Sequence, residues 1–298
     1  MRKRRSLKYA GLHPRTVHAY RVALDRFLKF VQKKKLKLKN VSHLDRQIAE
    51  FIDHLYQEGE PISYGGHLLS AVKRFHPELR LCLPQASQFF RTWQRCYIPS
   101  RALPASWALV EALMGVAFSL QLAHFALLLA LGFNCLLRTS EMLSITHRHL
   151  VVHPDGKALS VIIPGSKTSQ GNPQVLLVQD LPLVHLTSKL IRPKSKALLW
   201  AQGPHSFREQ FSQLLVSVGF GAHDYTPYCL RRGGATWFFQ SSQSMDATVA
   251  RGRWSCARTA KGYIDEGTMQ LAQVQWTSAQ VRQLRYWRKQ CKAYRLRQ

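Results

Sequence analysis

Four short stretches of the 298-residue chain gather side chains able to act on a phosphoryl group. In Leu136-Leu137-Arg138-Thr139-Ser140-Glu141, an arginine ends an apolar helix, and Thr139 and Ser140 are placed to cap the next one. A guanidinium beside a helix N-terminus is a good seat for a phosphate, and Glu141 lies within reach to hold it. The plainer reading, a structural Arg–Glu pair, stands equally well on this stretch alone. In Gly165-Ser166-Lys167-Thr168-Ser169 a lysine sits at a hairpin tip between two predicted strands, where most lysines are simply solvated. In Tyr228-Cys229-Leu230-Arg231-Arg232-Gly233-Gly234-Ala235-Thr236, two arginines and two glycines precede a predicted helical run from Ala235 to Phe239. The glycines let backbone approach a phosphate and a guanidinium offers a two-pronged contact, although a plain basic helix start fits as well. Gly252-Arg253-Trp254-Ser255 is followed by a predicted short helix holding Tyr263-Ile264-Asp265, where a lone tyrosine is ordinarily packing.

Taken in order, Arg138, Lys167, Tyr228-x-x-Arg231, Trp254 and Tyr263 resemble the active-site series of the tyrosine recombinases, the phage-integrase family. That series runs Arg, a lysine on a β-hairpin, His-x-x-Arg, His or Trp, and a nucleophilic Tyr. The steps of 23 residues from Arg231 to Trp254 and 9 on to Tyr263 fit members that use Trp. The Leu-Arg-Arg-Gly-Gly-Ala-Thr and Gly-Ser-Lys-Thr strings look most like members encoded by mobile elements.

The resemblance implies transesterification at a DNA phosphodiester with no metal and no cofactor. Tyr263 would be the nucleophile, forming a 3′-phosphotyrosyl link, with Arg138 and Arg231 clamping the non-bridging oxygens. Lys167 would be the general acid on the 5′ oxygen, Trp254 a donor to phosphate, and Glu141 the residue orienting Arg138. One departure is plain: Tyr228 stands where the family has His. A phenol of pKa ~10 is mainly a donor at neutral pH, so it can bond a phosphate but not serve as a base. His223 is out of register to replace it. The implied function is a site-specific recombinase or integrase acting on double-stranded DNA, as a homo-tetramer on paired sites. The alternatives are relaxation of DNA in the manner of a type IB topoisomerase, or a DNA-binding protein that has lost cleavage.

Charge points the same way independently. Lys plus Arg number 43 against 16 Asp plus Glu, a net +27. So one-signed a field predicts attraction to polyanions, because each cation seated on a phosphate releases a condensed counterion. The first hundred residues carry +13 and the remainder +14, which argues against a neutral enzyme with one basic tail and suggests two basic jaws. The expected DNA contacts are Arg2, Lys3, Arg4, Arg5, Lys33, Lys34, Lys35, Lys37, Lys39 and Arg232. Six cysteines lie far apart with no C-x-x-C pair, which reads as reduced thiols, no metal site, and an intracellular setting, nuclear or cytoplasmic according to host. No apolar stretch follows the basic N-terminus, so no secretory signal is expected. Residues 113–137 carry no formal charge, but Ser119, Gln121, His124 and Asn134 interrupt them. They read as two buried helices broken near Ser119-Leu120-Gln121, with no membrane span.

These residues need a scaffold, and the periodicity predicts a mainly α fold with a small antiparallel β-sheet (α+β). Residues 1–98 read as a helical domain, 99–105 as a linker with two prolines, and 106–298 as a second domain ending in a basic helix. The resemblance makes the first a SAM-like core-binding domain and the second an integrase-like catalytic domain. In the first domain a helix begins at His13-Pro14 with Val17, Tyr20, Leu24, Phe27, Leu28 and Val31 on one face. A second spans Leu44 to Tyr56 with Ser42 as N-cap, a third turns Leu68, Val72 and Phe75 inward, and a fourth runs from Ser87 to Tyr97. Strands are expected at 150–152, 159–163 and 175–178, and Ser206-x-x-Glu209 reads as a capping box for a helix ending at Gly219. The C-terminal stretch places Val281, Leu284, Trp287, Cys291 and Tyr294 on one helical stripe, to cover its own domain or, as the resemblance suggests, to dock on a neighbouring subunit.

Overall fold

The computed structural model describes Tyr9 and residues 11–97, 102–165 and 172–297. The chain divides into two units, Met1–Ser100 and Arg101–Gln298.

The first unit is four helices: α1 (Pro14–Lys33), α2 (Val41–Gln57), α3 (Ser63–Phe75) and α4 (Pro84–Cys96). Its core is Ala23, Phe27, Phe30, Ile48, Phe51, Ile52, Leu55, Leu68 and Trp93. Phe30 and Ala23, not Leu28, complete the inner face of α1; Leu28 is 51% exposed because the face is centred on Phe27 and Phe30. The N-cap of α2 is Asn40, whose side chain accepts from the His43 amide (2.9 Å), so the helix starts before Ser42. Helix α4 has no side-chain cap of its own. Instead the buried Asp45 carboxylate reaches across from α2 and accepts from the amides of Gln85 (3.0 Å) and Ala86 (2.9 Å). Lys33, Lys34, Lys35, Lys37 and Lys39 are all exposed where α1 gives way to the next loop.

The second unit is built on two helices that are apolar all round, α5 (Trp107–Ser119) and α6 (Ala123–Asn134). The break between them is at Gln121, which takes a left-handed φ of 59°. Such helices are stable only when surrounded, and ten residues of α5 and nine of α6 are buried. No helix among the described residues is long and apolar enough to cross a membrane. A four-residue helix α7 (Thr139–Met142) leads to strands β1 (Leu150–Val152), β2 (Leu159–Ile163) and β3 (Gln174–Val178). They pair antiparallel in the order β1-β2-β3, with Leu150 opposite Val161 and Leu159 opposite Val178. Leu159, Val161 and Ile163 face the core.

Six helices follow α8 (Leu181–Leu190): α9 (Gly203–Ser217), α10 (Tyr228–Ser242), α11 (Met245–Gly252), α12 (Ala257–Lys261), α13 (Glu266–Val274) and α14 (Ser278–Arg297). The architecture is mainly α with a small antiparallel sheet. Helix α9 begins at Gly203 with Pro204 in its first turn, so Ser206 and Glu209 lie inside it and form no capping box. Of the stretch expected as a linker, residues 99–101 lie outside the described residues. Leu103 and Ala105 are docked in the second unit, their amides donating to the carbonyls of Asp224 (3.4 Å) and Cys229 (3.1 Å). Helix α14 lies on α5 of its own chain: Cys291 is fully buried, Tyr294 stacks on Phe118 with centroids 4.0 Å apart, and Arg288 pairs with Glu111 at 2.8 Å.

Candidate active site

Three segments distant in sequence meet at one place: the turn from α6 into α7, the first half of α10, and the chain from Gly252 to Asp265. The turn after α6 cannot extend the helix, because Leu136 adopts a left-handed φ of 48°. Arg138 follows as N-cap of α7, and Glu141 folds back to accept from the Arg138 amide (2.9 Å) and from Arg138 Nη1 (2.6 Å). The cap is therefore this carboxylate, not the side chain of Thr139 or Ser140. The Arg138 side chain remains 30% exposed, whereas Glu141 is buried.

Helix α10 starts at Tyr228, seven residues before the expected Ala235. The arginines and glycines are thus inside the helix. Both glycines serve packing and not phosphate approach: a Cβ on Gly233 would collide with the Ala105 carbonyl, and one on Gly234 with the Phe133 carbonyl. Arg231 is wholly buried. Its Nη1 donates to the Leu136 carbonyl and its Nη2 to that of Gly252 (2.8 Å). Its guanidinium carbon lies 4.7 Å from the Trp254 ring centre and 5.2 Å from that of Tyr263. Arg232, expected on DNA, is also buried; it donates to the Ala102 carbonyl (2.6 Å) and bridges to Asp265 (2.8 Å). It is a tie within the fold.

Tyr263 lies just beyond α12 and not within a helix. Its amide donates to the Ala260 carbonyl (2.9 Å), and the Thr236 hydroxyl on α10, shared between the carbonyls of Arg232 (3.1 Å) and Tyr263 (3.4 Å), accepts from the Asp265 amide (3.1 Å). With the Arg232–Asp265 pair, this pins the tyrosine segment to α10. The Tyr263 ring is 4.8 Å from Trp254 and 5.8 Å from Tyr228.

The electrostatics favour anions. Burial alone would raise Glu141, but Arg253 and the hydrogen bonds from Arg138 more than offset it, and the carboxyl lies below its ordinary range. Burial, reinforced by Arg138 and Arg253, pushes Arg231 down to about 10, so it stays charged at neutral pH. For Tyr263 burial again opposes ionisation, but the Tyr228 hydroxyl donating toward it and the Arg231 guanidinium outweigh that, and the phenol sits below its usual value. Tyr228 is correspondingly raised, by burial first and by that donation second. The Trp254 indole N–H is near Tyr263 but is buried without a hydrogen-bond partner.

Arg138, Glu141, Tyr228, Arg231, Trp254 and Tyr263 are therefore brought into one cluster. Lys167 and Arg2, Lys3, Arg4 and Arg5 lie outside the described residues. Among the described residues no group of His, Cys, Asp or Glu could hold a metal ion. Arg253, which the sequence reading passed over, is buried beside Glu141 (2.7 Å); its one signal was its place next to Trp254.

Residues 7–81 match the family described as phage integrase, N-terminal SAM-like domain. No curated protein sequence matches the chain. In structure it is similar to the Tn1549 transposon integrase in complex with transposon right end DNA (TM-score 0.60, 11% identity, covering 89% of this chain and 93% of that one). It is also similar to a lambda integrase dimer bound to a COC′ core site (TM-score 0.58, 14% identity, 88% and 92% covered). A third likeness is to the XerH site-specific recombinase bound to palindromic difH substrate (TM-score 0.55, 15% identity, 87% and 79% covered). The chain has the integrase fold, a SAM-like helical unit followed by a helical unit with a three-stranded sheet. Its resemblance to the tyrosine recombinases, first read from six ordered residues, thus extends to the architecture.

Proposed function

We propose that the protein is a site-specific recombinase that cleaves and rejoins double-stranded DNA through a 3′-phosphotyrosyl intermediate. The observation that carries this reading is Tyr263 lying over Arg231 and beside Trp254, with its phenol more acidic than a free tyrosine. In the proposed step Tyr263 gives its phenolic proton to solvent, its oxygen attacks phosphorus, the bond to the 5′ oxygen breaks, and that oxygen leaves with a proton from Lys167. Rejoining is the reverse, so no metal and no cofactor is needed for energy. Arg138, the more exposed arginine, meets a non-bridging oxygen directly. Arg231 is covered by the Tyr263 and Trp254 rings, so its contact with the phosphate requires Tyr263 to turn off it, the motion that frees the nucleophile. The exposed lysines 33 to 39 supply phosphate-backbone affinity. Exchange between two sites calls for four copies on paired DNA.

One observation favours a second reading, a DNA-binding protein without cleavage: Tyr228 offers a donor where a base would help. A suicide DNA substrate separates the two. The wild-type chain is expected to trap a covalent protein–DNA adduct, and Tyr263→Phe to bind without trapping. An adduct that persists in Tyr263→Phe refutes the nucleophile, and none from either protein supports binding alone. Joining of two sites, against relaxation of a supercoil, then divides a recombinase from a topoisomerase.

A further inference from the structure

The Glu141 carboxylate is held from two sides. Arg138 binds it from the same turn, and from 112 residues further along the chain Arg253 Nη2 donates to its Oε2 at 2.7 Å. Arg253 also donates through Nη1 to the Cys135 carbonyl (3.0 Å) and through Nη2 to that of Leu136 (3.3 Å), and its side chain is 4% exposed. It therefore reaches the same turn that carries Arg138, and its own neighbour in the chain is Trp254. The backbone of Arg253 is left-handed, with φ at 56°. That region favours glycine, and an arginine there is held against backbone strain by what its side chain binds. A residue kept in this conformation by a buried, multiply bonded side chain is a strut.

We propose that Arg253 is a positioning residue for strand cleavage: through Glu141 it sets the orientation of Arg138, and through its own backbone it sets Trp254 over Arg231. The inference rests on the recombinase reading above. Lysine could not substitute, because a single ammonium on a flexible stem cannot span the carboxylate and the carbonyls in a fixed fork. The cluster is closed on itself. The charged groups facing Glu141 are Arg138 from its own turn, Arg231 from α10 (4.0 Å) and Arg253 from the turn after α11.

Glycine suits the backbone at 253, so Arg253→Gly removes the strut without adding strain. Single-turnover adduct formation on a suicide substrate should fall on the order of 10- to 100-fold, the scale of one charge-assisted hydrogen bond lost, with DNA affinity little changed. Glu141→Gln should lose a similar factor, and the double variant no more than the larger single loss, since both act through one contact. A merely structural role predicts losses that multiply. The pH profile is a second readout: without Arg253 the buried Glu141 protonates at higher pH, so the glycine variant loses cleavage on the acid side sooner than wild type. Arg253→Lys carries the same cycle if thermal melting shows the glycine variant unfolded. Multiplying losses, or full cleavage by Arg253→Gly, overturn the role of Arg253 alone. A wild-type chain that forms no adduct overturns the reading beneath it, and this inference with it.

Discussion

A phenol of ordinary pKa ~10 is almost wholly protonated at neutral pH, so with Tyr263 as the proposed nucleophile, what surrounds it would decide how well it attacks. Here the surroundings include a second phenol. Hydrogen bonding from Tyr228 favours the ionised form of Tyr263, so on the proposed function the tyrosine in place of histidine would be a change of device, a donor to the nucleophile in place of a base. The sign follows directly. Tyr228→Phe removes the donor, raises the Tyr263 phenol, and moves the rising limb of the cleavage pH profile to higher pH. At neutral pH the rate should drop. Tyr228→His should instead raise the neutral rate by about ten-fold or more, by restoring a group that can take the proton. Single-turnover adduct formation from pH 6 to 10 checks both, and a profile that does not move in Tyr228→Phe contradicts the pairing of the two tyrosines. Arg253 shows what one-dimensional reading cannot supply at this scale. Its partner is far away in sequence, and its left-handed backbone leaves no mark in residue type, because glycine, the usual signal, is absent.

Elements whose signal is hydrophobic patterning were legible: α5 and α6, the three strands, and the helices of the first unit all stand where their apolar residues place them. Starts and caps were less so. Asn40 displaces Ser42 at α2, and Pro204 opens α9 ahead of its apparent capping box. Helix α10 is the instructive case. Gly233-Gly234 costs about 1 kcal/mol per glycine in helix propensity, so the sequence suggests a loop up to Ala235. Close packing overrides it, since only glycine lets the Ala105 and Phe133 carbonyls approach the helix. The same packing places Tyr228 and Arg231 one turn apart on a rigid element, which a loop would not do. Gly233→Ala should therefore lower stability by about 1–3 kcal/mol, the collision with backbone outweighing the gain in propensity. Chemical denaturation measures this, and a variant as stable as wild type would show that α10 can shift away from Ala105. For helix α14 the sequence admits either its own domain or a neighbour, because an apolar stripe states that a face is covered but not by which chain. It covers α5 in cis.

For the molecule as a whole, +27 is a statement about polyanions that does not say which cations meet them. The fold sorts them. In this arrangement Arg231, Arg232 and Arg253 are buried and committed to carbonyls and carboxylates, so none adds to the initial release of counterions from DNA, and Arg231 meets a phosphate only once Tyr263 turns off it, as proposed above. The lysines from 33 to 39 are exposed, with no carboxylate of the described residues within salt-bridge distance, and can release counterions. For B-DNA the logarithm of the binding constant falls with the logarithm of salt at a slope of about −0.9 per phosphate neutralised. Replacing Lys37 and Lys39 with Gln should then make that slope shallower by about two, and weaken binding similarly on any duplex. Arg232→Gln should leave the slope unchanged and lower the melting temperature instead, because the Asp265 tie that holds the Tyr263 segment to α10 is lost. Salt titrations of duplex binding at low protein occupancy, paired with thermal melts, read both quantities on the same proteins. A slope indifferent to the two lysines removes them from the DNA surface. A slope shallower by one in Arg232→Gln would mean that the arginine leaves Asp265 for a phosphate when DNA arrives, and that binding and release of the tyrosine segment are one event.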